Sequence, residues 1–589
     1  MESEPRWKRK RAFKPNEEVG FVMSLVGLSF LIFLFVSSRR SLLQDGSFRP
    51  VLKVSTMSLL PSRLTKRSVQ VKSSPLIVED RILFGDHLLL IVSSKINTSE
   101  NLDCVYYRLL NASAWQLDQV VVRPAISVDE YHEVKSIVMC PLPERSYSAA
   151  LDLQRAGDAT DDELLSAVNQ STAVVPSLDK VVYEAILDWN TAVLFVKGLK
   201  LPPHKESDPT QFRCHFGSSN FDEDEGTVLT TEAITAAQEV VRCLLPRSMR
   251  NNTEKAEGLL VTVSRVLAGE DSGARPLPSV ARIYSTTKNN DQKITKHKYE
   301  LCACTMLWNQ AAFMREWITY HGWLGIQRWF IYDNNSDDGL QEVIDELNLQ
   351  KHNISRHSWP WIKTQEAGLS HCGLRARNEC KWLAFFDVDE FFYFPQHKAQ
   401  DKSGQNSLRN LVANYTNSPT YAEIRTVSHS FGPSRLNSAP LQGVTVGYTC
   451  RLKSPERYKS IVRPDLLGIS LLNEVHHFRL REGYKHLNLP KTTVVLNHYK
   501  YQVWYTYNAK FFRRASTYVE DWQEGQNKGS KGKAQGFGTV TNEPADWKKK
   551  FCQVWDTGLK DFVQANFVDP ASGFLPWERS LTSLEVLTS

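Results

Sequence analysis

No two of the ten cysteines are spaced as a CxxC pair, which argues against a structural zinc site. A strong excess of charge of either sign is also missing, because 71 Lys and Arg stand against 65 Asp and Glu. The small positive surplus is partly concentrated before residue 15 and gives little support to nucleic-acid binding. An even number of cysteines suits a compartment in which disulfides form, but the sequence leaves their pairing open.

Charged residues are absent from Val19 to Ser38, and a helix of that length spans about 30 Å, the thickness of the hydrocarbon core of a bilayer. More basic residues precede this stretch than follow it closely, which favours a cytoplasmic amino terminus. We therefore expect an uncleaved signal anchor, a single-pass type II topology and a lumenal remainder of the chain. The alternative is a cleaved signal peptide with a cleavage site at Val36–Ser38.

Triplets of the form Asn-x-Ser/Thr in the rest of the chain agree with a lumenal glycoprotein. Such triplets also occur by chance, so only some need carry a glycan. They begin at Asn97, Asn111, Asn169, Asn251, Asn334, Asn353 and Asn414.

The pattern of apolar residues divides the chain into parts. Short apolar runs between polar loops predict a β-rich part with one helix near Thr231–Cys243. After Tyr299, strands alternate with amphipathic helices, which predicts an α/β fold with a mostly parallel sheet and ligands at the carboxyl ends of its strands. The first elements are a strand at 301–307, a helix at 313–324, a strand at 328–332 and a helix at 340–347. We predict a basic cytoplasmic tail, a transmembrane helix, a stem linker, a β-rich accessory domain, an α/β catalytic domain and a C-terminal tail, over residues 1–18, 19–38, 39–75, 76–285, 298–560 and 561–589.

An acidic cluster, Asp387-Val388-Asp389-Glu390, lies between two apolar, aromatic-rich runs. Uncompensated buried carboxylates cost several kcal/mol, so this placement indicates a cation nearby. In an extended segment Asp387 and Asp389 point to the same side while Val388 points into the core. Mg²⁺ and Mn²⁺ suit such a site, because they take few protein oxygens and complete their coordination with water and phosphate. The alternative is a solvated acidic turn that closes a surface hairpin.

Four segments occur in order along the α/β part: Cys304–Asn309, Glu316–His321, Phe330–Ser336 and Trp382–Phe391. Together they resemble glycosyltransferase family 92 in its plant, galactan synthase-like form, over roughly residues 298–560. The resemblance implies a GT-A fold and an inverting β-1,4-galactosyltransferase that uses UDP-galactose. It also implies a glycan acceptor of the cell wall, such as β-1,4-galactan, and a place in the Golgi membrane.

The resemblance gives the acidic cluster a role at a metal. We expect Asp389 to coordinate Mn²⁺ or Mg²⁺ directly and Asp387 to reach the metal through water or to contact the ribose. His498 ends an apolar strand beyond the cluster, where related folds complete the metal site with a histidine. A strand-end histidine with a structural role is the alternative.

Further residues are candidates for contacts with the nucleotide sugar. Asp333 and Asn334 follow the second strand, where this fold usually reads the uridine, and Asn309 ends the first motif. An Asx-type turn is the alternative for this loop. Arg375 lies on the helix before the acidic cluster, and Lys500 follows His498. Surface helix faces are the alternatives for both basic residues.

Inversion needs a base that deprotonates the acceptor hydroxyl. Glu456 and Glu474 are the candidates, because both lie between the acidic cluster and His498 in the sequence.

Two other functions remain open at this point. A metal-independent glycoside hydrolase would use a pair of carboxylates and no nucleotide. A catalytically silent glycan-binding or scaffolding protein would keep the fold without the activity. The sequence leaves the donor sugar, the acceptor, the linkage and the choice between monomer and homodimer undecided.

Overall fold

The computed structural model of the chain describes residues 76–111, 114–132, 134–143, 147–156, 175–217, 228–266, 275–286, 298–396, 404–474, 476–510 and 543–578. The predicted cytoplasmic tail, transmembrane helix and stem linker lie outside the described residues. Within the described ranges, no helix is both long and apolar enough to cross a membrane.

The β-rich part contains fourteen strands in its described residues. The sheets have the strand orders β1-β2-β6-β5, β4-β3-β7 and β13-β10-β11-β12-β9-β8-β14. The strands are β1 (Val78–Leu83), β2 (His87–Val92), β3 (Leu102–Asn111), β4 (Ala114–Pro124), β5 (Ser127–Tyr131), β6 (Lys135–Pro141), β7 (Tyr147–Arg155), β8 (Val182–Asp188), β9 (Thr191–Val196), β10 (Phe212–Phe216), β11 (Leu229–Ala237), β12 (Val240–Leu244), β13 (Val261–Arg265) and β14 (Ile283–Ser285), with one short helix, α1 (Arg247–Arg250).

The helix predicted near Thr231–Cys243 is wrong, because this segment forms the hairpin of β11 and β12. Gln238 has a φ of 54° at the turn, and a disulfide ties Cys243 to Cys214 in the neighbouring strand β10. The alanines of the segment suit a helix locally, but pairing with both neighbouring strands outweighs this weak preference.

The second part alternates strands with helices at its start, as predicted. Its strands are β15 (Tyr299–Leu307), β16 (Arg328–Asp333), β17 (Ile354–Ser358), β18 (Cys380–Phe385), β19 (Glu390–Tyr393), β20 (Tyr421–Ser430), β21 (Cys450–Arg451), β22 (Arg457–Val462), β23 (Asn473–Glu474), β24 (His477–Phe478), β25 (Lys485–Asn488), β26 (Val495–His498) and β27 (Val554–Trp555). Among the described residues its helices include α2 (Ala311–Trp323), α3 (Leu340–Leu349), α4 (Gln365–Ala376), α5 (Ser407–Ala413), α6 (Val444–Gly447) and α7 (Gly558–Phe567), and residues 504–510 are helical as well.

The large sheet of this part is mixed. Its strand order is β17-β16-β15-β18-β22-β20-β26-β19, with β25 beside β20. Strands β17, β16, β15 and β18 run parallel, whereas β22 is antiparallel to both β18 and β20. The predicted mostly parallel arrangement therefore holds for the first half of the sheet, and the second half combines both directions. Polar segments follow β15, β16 and β18 at one edge, and these segments position the site.

The β-rich part and the α/β part pack together as one compact unit. Tyr183 and Phe195 lie in one hydrophobic cluster with Trp359 and Trp361, with ring centroids 5.1 Å apart for Tyr183 and Trp361. Across the same boundary, Arg356 donates two hydrogen bonds to Asp129, at 2.7 and 2.6 Å. The predicted domain boundaries stay a prediction.

All ten cysteines form disulfides. Four of the bonds link strands or helices, and the fifth links β21 to Cys552 in a loop. Each bond lies within one of the two parts and stabilises that part. The pairs are Cys104–Cys140, Cys214–Cys243, Cys302–Cys380, Cys304–Cys372 and Cys450–Cys552.

Candidate active site

A cleft opens at the carboxyl ends of β15, β16 and β18. It is lined by Trp308 after β15, Asn334 after β16 and the acidic cluster 387–390 after β18. Side chains from the later strands β22 and β26 close its other side, through Lys459 and His498. The cleft thus lies where a parallel α/β sheet usually binds its ligands.

The acidic cluster forms a turn instead of the predicted extended segment. The amide of Glu390 donates to the carbonyl of Asp387 at 3.0 Å, and the Glu390 carboxylate accepts from the amide of Asp387 at 2.8 Å. Val388 packs in the core, as predicted, while Asp387 and Asp389 both line the cleft. The two aspartates therefore share a side because of the turn and not because of strand alternation.

Lys459 supplies a buried positive charge to this turn. Its ammonium group lies 3.0 Å from Asp387 Oδ2 and 2.9 Å from Glu390 Oε2, and the residue is only 6% exposed. Burial raises the pKa of Asp387, but Lys459, His476 and His498 together outweigh burial and hold this pKa well below its ordinary value. Burial raises the pKa of Glu390 despite the same lysine. Asp387 therefore stays ionised in the cleft.

His498, at the end of β26, lies between two carboxylates. Its Nε2 is 3.3 Å from Asp389 Oδ2, and its Nδ1 is 3.5 Å from Glu390 Oε1. The ammonium group of Lys510 contacts the same Asp389 oxygen. Burial raises the pKa of Asp389, but Lys510 and His498 together hold it well below its ordinary value.

These groups fit a divalent cation. Two neighbouring ligand atoms of an octahedral Mg²⁺ or Mn²⁺ lie about 3 Å apart, close to the 3.3 Å between Asp389 Oδ2 and His498 Nε2. Glu390 Oε1 is buried without a hydrogen-bond partner among the described residues, and it faces His498 Nδ1, as carboxylates do behind metal-binding histidines. The described residues contain no group of three such side chains arranged as a metal site, so water and phosphate would supply the remaining ligands.

Asp387 fits an indirect role better than direct coordination. One of its oxygens contacts Lys459, and the other lies 3.9 Å from His476 Nε2. Both oxygens thus already face positive or polar groups of the protein.

Of the two predicted bases, Glu456 lies in the cleft and Glu474 does not. Glu456 accepts a hydrogen bond from Ser430 Oγ at 2.5 Å and lies 3.3 Å from the Lys500 ammonium group, which also lines the cleft. Glu474 is about half exposed and lies 3.0 Å from His204 of the β-rich part. The short strand β23 directs Glu474 to the surface, away from the described lining of the cleft.

The loop after β16 places only Asn334 in the cleft. Asp333 is fully buried, and its carboxylate accepts from Arg356 Nε at 2.7 Å and from the amide of Ser336 at 3.0 Å. This geometry gives Asp333 a structural role, since both oxygens are occupied by the protein. Asn334 lines the cleft and donates to the carbonyl of Trp359 at 2.7 Å.

Asn309 and Arg375 are likewise absent from the described lining of the cleft. Asn309 has a φ of 51°, and its side chain accepts from the amide of Asp337 at 2.9 Å, which joins the loops after β15 and β16. Arg375 lies on the face of α4 that lines a second cavity. The sequence correctly placed Arg375 on the helix before the acidic cluster, but it did not show which way this side of the helix faces.

Sequence reasoning missed several residues that line the cleft, among them Lys459, His476 and Lys363. A signal existed for Lys459 alone. Lys459 directly precedes the apolar end of β22. Because β22 pairs directly with β18, a lysine at this position faces the carboxylates that follow β18. Lys363 and His476 lie in loops, whose course the sequence does not predict.

We predict that Lys459→Met lowers the free energy of unfolding by about 3–5 kcal/mol, because it leaves buried carboxylates without their counter-charge. Urea denaturation measures this loss. The matched control is Lys381→Met, which removes a partly exposed ion pair of 2.7 Å with Glu300 and should cost about 1 kcal/mol or less. Losses of equal size in the two variants would contradict the compensating role of Lys459.

The chain is similar to known proteins of one family. A model of glycosyltransferase family 92 matches residues 297–547. A family 92 protein of Ricinus communis is 64% identical over 98% of this chain and all of its own length. One of Arabidopsis thaliana is 52% identical over 93% of each chain. A galactan β-1,4-galactosyltransferase of Arabidopsis thaliana is 25% identical over 33% of this chain and 41% of its own length.

Among solved structures, residues 1–349 of TarS from S. aureus match 38% of this chain and 67% of their own, at 10% identity and a TM-score of 0.22. That TM-score is too low to support an argument. The two family 92 relatives are matched over 93% or more of their own length, at 64% and 52% identity. The chain therefore belongs to glycosyltransferase family 92 and is a glycosyltransferase.

Proposed function

We propose that this chain transfers galactose from UDP-galactose, with inversion and a divalent cation, to a cell-wall glycan such as β-1,4-galactan. The observation that carries the proposal is the pair of Asp389 and His498 donor atoms 3.3 Å apart at the strand ends, with Glu390 behind His498. The distant similarity to a galactan galactosyltransferase supports galactose as the sugar. The parallel first half of the sheet, with carboxylates directly after β18, supports a GT-A fold.

Asp389 and His498 would hold Mn²⁺ or Mg²⁺, which when bound offsets the negative charge of the leaving diphosphate. The cleft adds positive charge of its own through Lys459, Lys500 and Lys510. Of these, Lys500 and Lys510 are held by ion pairs with Glu456 and Asp389, and a diphosphate offers both ammonium groups an alternative anion. Asn334 supplies an amide on the nucleotide side of the cleft.

Glu456 is the base of the proposed reaction. The acceptor oxygen forms a bond to the anomeric carbon while the bond from that carbon to the diphosphate breaks, and the hydroxyl proton passes to the Glu456 carboxylate. Ser430 and Lys500 orient this carboxylate. Glu456 directly precedes β22, which lies three strands from β16 in the sheet, whereas Asn334 directly follows β16, and this separation suits the acceptor.

We also propose a type II protein of the Golgi membrane with a lumenal catalytic part. The uncharged stretch at residues 19–38 supports the anchor, although it lies outside the described residues. The five disulfides support a compartment in which disulfides persist.

We predict that the full chain transfers sugar from UDP-galactose in preference to other UDP-sugars, and only with Mn²⁺ or Mg²⁺. Asp389→Asn should lower transfer by at least about a hundredfold, because it weakens the hold on the cation beside the leaving group. Product formation on galactan oligosaccharides measures the activity, and the matched control is Asp345→Asn on the exposed face of α3. Turnover that survives removal of both the cation and the nucleotide sugar would instead indicate a hydrolase.

A second assay distinguishes between the two candidate bases, Glu456 and Glu474. Glu456→Gln should lower kcat by about 10²–10⁴-fold, the usual contribution of general-base catalysis, with binding of UDP retained. Glu474→Gln should leave kcat unchanged, since Glu474 lies at the surface. The assignment fails if Glu456→Gln keeps full activity or if the two variants lose activity equally.

A further inference from the structure

A second cavity, of about 1160 Å³, lies between the β-rich part and the α/β part. Tyr131, His132 and Tyr284 line it from the β-rich side, and His357 and Arg375 from the α/β side. The His132 ring lies 4.3 Å from the Tyr284 ring and 6.0 Å from the His357 ring. Aromatic walls with a few polar groups are typical of small-molecule sites.

The charges that line this cavity leave one cation uncompensated. Among the described residues, five Lys and Arg side chains line it, and four of them lie within 4.0 Å of a carboxylate. Those four are Lys95 with Glu130, Lys135 with Glu79, Arg282 with Asp80 and Arg356 with Asp129. Arg375 has no carboxylate of the described residues within this distance. A partly buried guanidinium without a counter-ion is unfavourable, so an anionic ligand would be stabilised there.

A hydrogen-bonded chain of Tyr332, His371 and Tyr284 lies beside Arg375. The Arg375 guanidinium lies near the Tyr332 hydroxyl, and this hydroxyl is 2.6 Å from His371 Nδ1. His371 Nε2 then lies 2.5 Å from the hydroxyl of Tyr284, which itself lines the cavity. Burial and the nearby Arg375 charge hold the pKa of His371 well below its ordinary value, so this ring is neutral. His371 therefore adds no positive charge beside Arg375.

Two side-chain nitrogen atoms of residues that line this cavity form no hydrogen bond with the described residues. Arg375 Nη1 and His357 Nε2 are buried and lack hydrogen-bond partners among the described residues. Unsatisfied buried polar atoms are rare in folded proteins, and each one calls for an explanation. The Arg375 charge acts on the nearby His357 ring, and His357 donates from Nε2 in the tautomer that carries its proton there, so an oxyanion would suit both groups.

The carboxylates that line the cavity do not act as the counter-ion of Arg375. Glu184 is occupied by the Tyr131 hydroxyl at 2.5 Å and by Trp361 Nε1 at 3.3 Å, and its nearest basic neighbour is His132 at 3.7 Å. Burial raises the pKa of Glu184 to about 7, which reduces its opposition to an anion. Glu254 and Glu257 also line the cavity, from the β-rich side.

We propose that this second cavity binds an oxyanion, as the carboxylate of an acidic sugar or as a phosphate group, through Arg375 and His357. The rings of His132 and Tyr284 flank the bound group. The site is separate from the cleft that holds Asp389 and His498, and it needs neither the cation nor the nucleotide sugar.

Isothermal titration calorimetry on the full chain tests this proposal, at constant ionic strength and without divalent cations. The probes are galacturonate, inorganic phosphate and, as a neutral control, galactose. We expect at least one anion to bind and galactose not to bind at this site. Arg375→Gln and His357→Gln should each weaken binding of that anion by about tenfold or more, the usual effect of losing a charge-assisted hydrogen bond. Arg375→Lys should retain part of the affinity, because it keeps the charge.

Two controls locate the anion. Arg377→Gln removes another arginine close by in the sequence, one that pairs with Asp188 at 2.8 Å, and it should leave anion affinity unchanged. Lys500→Met should also leave it unchanged, because Lys500 lies in the cleft. Binding of galacturonate alone identifies an acidic sugar as the ligand, and binding of phosphate alone identifies a phosphate group. The proposal is overturned if neither anion binds, if Arg375→Gln binds like the wild type, or if either control variant loses as much affinity as Arg375→Gln.

Discussion

The ammonium group of Lys459 lies between the carboxylates of Asp387 and Glu390, and the architecture of the cleft depends on this buried contact. Without it, the turn after β18 would place several carboxylates in a largely buried position with too little compensating charge. With it, Asp387 stays ionised and Glu390 stays behind His498, so that Asp389 and His498 can face the same point. Strand β22 therefore contributes to the site as directly as the acidic turn does, although the two segments are about 70 residues apart in sequence.

Much of the α/β part could be predicted because its signals are local. The strands and helices from β15 to α3 follow apolar periodicity, and the acidic cluster follows a buried strand. The hairpin of β11 and β12 could not be predicted in this way, since its alanines suit a helix until neighbouring strands pair with them. The turn at residues 387–390 could not be predicted either, because a hydrogen bond from the Asp387 amide to the Glu390 side chain shapes it.

Predictions of individual site residues depended on where side chains point. His498, Asn334, Lys500 and Glu456 line the cleft, as the strand-end reasoning suggested for most of them. Asp333 ends its strand, as predicted, but its carboxylate forms an ion pair with Arg356. The other partner of Arg356, Asp129, comes from a distant part of the chain. No local sequence pattern predicts such a partner. The interface between the two parts of the molecule thus decides the role of Asp333 and creates the cavity that contains Arg375.

The most direct measurement is the anomalous scattering of manganese from crystals of the protein grown with Mn²⁺ and UDP. The account predicts one manganese peak within about 2.5 Å of both an Asp389 carboxylate oxygen and His498 Nε2, with the UDP diphosphate on the same ion and Lys510 moved away from Asp389. It would be contradicted by UDP in the cleft with no manganese at Asp389 and His498 and with its diphosphate held directly by Lys510 and Lys459.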